Sequence, residues 1–221
     1  MGRRAHAISL LLTLLWASSA MGQLNLVADG GFEIPLVKDF LYNPGDSPWT
    51  FSGNSGIQTP PSGFSNTPPP EGAQTAFLQT STTISGSSIC QDVSGFMAGS
   101  KYTISFQYAA RAAMSGLCSF CQGGNPFEIR ANGALVQTFP ALPTTEVYTS
   151  GAAQFSASSP TITICFVGLT VAPPGENDRT TFIDAVQINA LVAPALSPWM
   201  TMVTAGALLL LWCVKLRRAA P

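Results

Sequence analysis

Between Gln23 and Leu196, apolar and polar side chains alternate with a period of two, and no helical period of useful length interrupts them. Ile104, Phe106 and Tyr108 share one face of a predicted strand while Thr103, Ser105 and Gln107 share the other, and Ile162, Ile164 and Phe166 repeat the pattern. The same reading predicts strands over residues 75–80, 88–93, 102–109, 127–131, 135–139, 147–155, 161–167 and 181–188. Turn residues separate them, among them Ser94-Gly95, Ala98-Gly99 and Asn132-Gly133, the last a strong two-residue hairpin signal. Strands with one apolar face and no helix to cover it must pack on one another, which predicts an all-β, antiparallel sandwich. Trp49 and Phe51 fall in a further short strand and are expected in its core. Residues 54–71 carry Pro60, Pro61, Pro68, Pro69 and Pro70 among Ser, Thr, Gly and Asn, and read as a long surface loop.

The two ends of the chain follow different patterns. Arg3 and Arg4, an apolar run from Ile8 to Trp16 and the small-x-small group Ala20-Met21-Gly22 predict a signal peptide over residues 1–22, cleaved to leave Gln23 first. From Trp199 to Val214 the chain is apolar except for Thr201, Thr204 and Gly206, and Lys215, Arg217 and Arg218 follow directly. That is a stop-transfer pattern near the short limit for a membrane span, with the basic tail in the cytoplasm and the middle segment outside. The expected organisation is therefore a signal peptide (1–22), one β-sandwich (23–192), and a tail with a transmembrane helix (193–221).

Separating the ends changes the charge and the cysteine count. All 11 acidic residues lie in the middle segment, against Lys38, Lys101, Arg111, Arg130 and Arg179, so the domain is net acidic by six. Nucleic acid is not an expected partner, because phosphate binding needs a basic surface. Cys90, Cys118, Cys121 and Cys165 are exported, and Cys213 lies in the hydrophobic tail. An even number of exported cysteines predicts two disulfides, with all three connectivities open. A zinc site is the weaker reading, since there is no second CxxC and the sole histidine, His6, leaves with the signal peptide.

The order of segments resembles the galactose-binding-like jelly-roll domains of carbohydrate-binding modules and bacterial surface proteins. The resemblance spans about residues 24–190 and rests on Asp29-Gly30-Gly31-Phe32-Glu33, Pro48-Trp49-Thr50, Glu71-Gly72 leading into Ala76-Phe77-Leu78-Gln79, Ala98-Gly99-Ser100-Lys101-Tyr102, Asn132-Gly133 and Phe182-Ile183-Asp184-Ala185-Val186. It implies that the first and last strands meet, bringing Glu33 and Asp184 together, with Asp29 as a further contributor. Many carbohydrate-binding relatives hold a structural calcium ion there, a hard cation that takes about six to eight oxygen ligands. The alternative is that these carboxylates hydrogen-bond turn backbone. The tail, Ala193-Pro194-Ala195-Leu196-Ser197-Pro198-Trp199 with its helix and basic cluster, resembles the IPTL-CTERM relative of PEP-CTERM sorting signals, with Ala193 for the usual Ile and Pro198 for the usual acid. That implies a membrane-bound sorting protease as a partner, with permanent single-pass anchoring as the simpler alternative.

Tyr42, Phe64 and Phe120 fall in predicted loops, where exposed aromatics could stack on sugar rings, and Arg111 could contact a polar ligand or pair with a surface acid. Catalysis is not expected. A mature domain without histidine builds no Ser-His-Asp or Cys-His site, and no phosphate-binding loop or metalloprotease motif occurs. A two-carboxylate glycosidase needs no histidine and depends on a geometry that sequence does not show. Two functions stay open: an exported carbohydrate- or matrix-binding sandwich, and a structural or adhesive surface protein with no discrete ligand pocket.

Overall fold

The computed structural model describes residues 25–65, 67–80, 86–112, 123–143, 147–169 and 179–191. The expected signal peptide, the tail, Cys118, Phe120 and Cys121 lie outside the described residues. Among the described residues no helix is long and apolar enough to cross a membrane.

Eleven strands are described: β1 (Phe40–Tyr42), β2 (Thr50–Ser52), β3 (Ser55–Gln58), β4 (Thr75–Thr80), β5 (Ser88–Ser94), β6 (Lys101–Ala110), β7 (Phe127–Ala131), β8 (Ala134–Phe139), β9 (Thr149–Ser156), β10 (Thr161–Gly168) and β11 (Arg179–Ala190). They form a six-stranded sheet in the order β1-β3-β4-β11-β6-β9 and a five-stranded sheet in the order β2-β5-β10-β7-β8. Among the described residues every strand pairing is antiparallel.

The alternation read from the sequence is the burial pattern of the strands. Tyr102, Ile104, Phe106 and Tyr108 of β6 face Ile162, Ile164 and Phe166 of β10 across a continuous core that also holds Trp49, Phe51, Ile57, Ile129 and Val186. Phe106 sits at its centre, with its ring 5.2 Å from Phe166 and 5.1 Å from Phe139. The close fit extends to β9, where a side chain on Gly151 would run into the Phe106 ring.

Two elements differ from the sequence reading. The proline-rich loop begins with strand β3, all four of whose residues are buried. Ile57 is its one large apolar side chain, so no alternation was there to read, and Gly56 is required because a β-carbon would strike Leu41 O and Phe77. Tyr42, predicted in a loop, lies in β1, an edge strand of three exposed residues too short to show a period.

Candidate functional site

The first candidate is the acidic junction between the N-terminal segment and β11. β11 carries a bulge between Asp184 and Gln187, with Ala185 at a φ of 52°. The bulge takes Val186 out of the β6 ladder and turns its backbone toward the N-terminal segment. Val186 N–H donates to Gly30 O at 2.9 Å, and Asn25 Nδ2 donates to Val186 O at 3.2 Å. Gly30 has a steric reason to be glycine: a β-carbon there would overlap the Val186 carbonyl oxygen. Gly30→Ala should therefore lower stability by about 1–3 kcal/mol, the range for forced overpacking. A denaturation midpoint unchanged from wild type would refute this.

The Asp-Gly-Gly-Phe-Glu turn aims its carboxylates inward. Asp29 Oδ1 accepts Glu33 N–H at 2.7 Å and Oδ2 accepts Ile34 N–H at 3.0 Å, which closes the turn on itself. Glu33 Oε1 accepts Ala73 N–H at 2.7 Å and Gln74 N–H at 2.8 Å. Gly72, at a φ of 61°, makes room for that carboxylate, since a β-carbon would overlap Glu33 Oε1. Asp184 is wholly buried, with Oδ2 accepting Glu71 N–H at 2.9 Å and Oδ1 accepting Ala185 N–H at 2.7 Å. The structure thus brings Glu33 near Asp184 and adds Glu71, which the sequence reading passed over as part of a turn, while the Asp29 carboxylate is spent on closing its own turn.

Among the described residues, none of these four acids has a Lys or Arg partner. Burial pushes the Asp184 carboxyl up to about 7, against the pull of two backbone N–H donors and helped by the charges of Glu71 and Glu33. In kind and in charge the donor set suits a hard cation. As placed, however, five of the six oxygens of Asp29, Glu33 and Asp184 accept backbone N–H groups, and among the described residues no three His, Cys, Asp or Glu are grouped to hold a metal.

The second candidate is an aromatic cluster on the outer face of the six-stranded sheet. Register explains it: Tyr42 lies opposite Gly56, Gly56 opposite Phe77, Phe77 opposite Phe182, and Phe182 opposite Ala109, one row across five strands. The Phe64 ring lies on this row, stacked at 4.5 Å on Phe77, and the Arg111 guanidinium sits 4.7 Å above Phe64. Arg111 Nη2 also donates to Gly63 O at 2.6 Å. Three of the four residues expected to bind ligand, Tyr42, Phe64 and Arg111, therefore meet in one place, and the fourth, Phe120, lies outside the described residues.

Their roles within the cluster differ from the expectation. Phe64 is buried at 4 % exposure and Arg111 at 7 %, because each covers the other and Phe64 is stacked on Phe77. The accessible aromatic surface belongs to Tyr42, at 36 %, and to its strand neighbour Phe40, at 40 %, which sequence reasoning missed. Phe40 packs edge-on against Tyr42 at 5.9 Å and Phe64 at 5.1 Å, and the Tyr42 hydroxyl is held by Gln79 Oε1 at 2.6 Å. Trp49 and Phe51 are core residues, as expected.

No protein-family model matches the chain, and no curated protein matches it. Solved structures do. The Stig cyclase Fisc from Fischerella sp. TAU, in complex with a pyrrolidinylidene-indole, is 16% identical with a TM-score of 0.55, over 77% of this chain and 98% of that one. The arabinose-bound α-L-arabinofuranosidase MgGH51 is 10% identical with a TM-score of 0.50, over 76% of this chain and 27% of that one. TmCBM61, in complex with β-1,4-galactotriose, is 15% identical with a TM-score of 0.46, over 76% of this chain and 99% of that one. What this chain shares with Fisc and the arabinofuranosidase is the fold, an all-β sandwich of two antiparallel sheets.

Proposed function

We propose that the sandwich binds carbohydrate through the Phe40–Tyr42 surface. The observation that carries this reading is a pair of exposed aromatic rings held in place by Phe64, Phe77 and Gln79 at the edge of the sheet. A sugar ring presents an apolar face that stacks on such a platform, and rings already fixed by packing lose little freedom on binding. Phe40→Ala and Tyr42→Ala should each weaken glycan binding about tenfold, corresponding to about 1.4 kcal/mol. A glycan array followed by titration calorimetry tests this. No binding by wild type on a broad array would favour the structural or adhesive alternative, and binding unchanged in both variants would place the ligand elsewhere.

Binding is proposed in preference to catalysis. Asp184 has the raised carboxyl of a general acid, but it is wholly buried and offers no surface to a substrate. Calcium is proposed as a structural ligand of the acidic junction, held by Glu33 and Asp184 with Asp29 contributing, because a divalent cation supplies the positive charge that the four acids lack. Binding to the folded form alone would raise stability by about 2.7 kcal/mol at a free concentration 100 times the dissociation constant. Equal melting temperatures in excess calcium and in chelator would sink the calcium proposal.

Export, with the hydrophobic tail either retained as a single-pass anchor or removed by a sorting protease, completes the proposal and rests on the terminal sequences. Surface display is tested by protease shaving of intact cells. Protection of the domain in intact cells would count against it.

A further inference from the structure

Asn25 and Leu191, the first and last described residues, lie at the same end of the sandwich. Leu26 N–H donates to Ile188 O at 3.1 Å, and Leu191 N–H donates to Lys101 O at 2.8 Å, so the first and last described segments both lie at the C-terminal end of β11. The loop 95–100 closes this end: Ser100 N–H donates to Met97 O, Gly99 N–H to Ala157 O, and Met97 N–H to the Tyr102 hydroxyl. The apolar run Ile8–Trp16 stops nine residues before Asn25, and the run from Trp199 begins eight residues after Leu191. Even fully extended, such connections reach at most about 33 Å. Whichever apolar segment enters a membrane, it draws the same end of the domain toward it.

That end has the surface for such contact. Met97 is 71 % exposed and Leu191 45 %, and Lys101, beside both, is exposed. Apolar side chains with a neighbouring lysine suit the interfacial layer of a bilayer, where the lysine stem lies along apolar surface and its ammonium stays in water. The aromatic cluster lies toward the other end. Its row crosses β11 at Phe182, nine residues before Leu191, or about 25–30 Å along a strand.

We propose that the Met97–Lys101–Leu191 end of the sandwich rests on a phospholipid bilayer, so that Phe40 and Tyr42 lie toward the end of the domain remote from the membrane. This inference rests on the anchoring reading above and adds an orientation and a lipid contact to it. A glycan would then be met on the side of the domain open to the exterior.

The test uses the full chain in vesicles of phosphatidylethanolamine and phosphatidylglycerol, with a photoreactive benzophenone amino acid placed at Met97 or, as a comparison, at exposed Leu41 of β1. The protein should stay with the vesicles through an alkaline wash, and illumination should give lipid adducts from position 97 at several times the yield from position 41. Retention with equal yields from the two positions would overturn the docked orientation and leave anchoring intact. Loss of the protein in the wash would overturn anchoring and the orientation with it.

Discussion

In the presence of chelator the protein should lose about 4 kcal/mol of stability between pH 4 and pH 8 through Asp184 alone, and Asp184→Asn should remove that loss. The carboxyl stands at about 7 in the folded protein against 3.8 for an ordinary aspartate. Below pH 4 both states hold the proton and the group contributes nothing to the pH dependence. Between pH 4 and 7 the unfolded chain has released the proton while the folded protein retains it, so stability falls as pH rises. Above 7 both are ionised and the full cost remains, about 4 kcal/mol for a difference of about three units. The asparagine amide cannot ionise, but only its oxygen accepts a hydrogen bond, so either Glu71 N–H or Ala185 N–H is left unpaired at a cost of about 1–3 kcal/mol. The variant should therefore be the less stable at pH 4 and equal to or more stable than wild type at pH 8. Urea unfolding across that range decides it, and parallel pH profiles for the two proteins would refute the assignment. Saturating calcium should flatten the wild-type profile, because a bound cation holds the carboxylate ionised in the folded state.

Removing the Cys90–Cys165 disulfide should cost about 4 kcal/mol. The bond joins directly opposed residues of β5 and β10 on the outer face of the five-stranded sheet, across a sequence separation of 75. Its contribution comes from the unfolded chain, which it holds in a closed loop, and loop-closure entropy for a loop of that length is about 4 kcal/mol. Cys90→Ser with Cys165→Ser should thus shift the denaturant midpoint downward without changing the native far-ultraviolet spectrum. Wild type in reductant should shift by a similar amount. Coincident unfolding curves for the oxidised protein and the double variant would show that the cross-link adds nothing to the stability of the paired strands.

The regular part of this fold was legible because burial imposes a period of two wherever a strand has one wet face. β6 and β10 could be read residue by residue, since Ile104, Phe106 and Tyr108, like Ile162, Ile164 and Phe166, point to the same core. β1 and β3 could not. One has three exposed residues and the other four buried ones, and neither alternates. Their pairing is set by Gly56, whose missing side chain lets β1, β3 and Phe77 close up, a requirement that appears only when the three are in contact.

The candidate sites divide in the same way. The sequence alone determined an all-β sandwich, an acidic domain between two apolar segments, and the residue types present at the Asp29–Glu33 turn, because composition and periodicity are local properties of a chain. Only the tertiary structure decided that Cys90 pairs with Cys165, that Glu71 joins the acids around Asp184, and that Phe64 is buried beneath Arg111 while Phe40 and Tyr42 stay accessible. Exposure and charge environment are set by residues distant in the chain. Phe64 loses its solvent to Phe77 and Arg111, and Asp184 its ionisation to burial and to acids more than a hundred residues away. No local pattern encodes contacts that exist only once the sheets have closed.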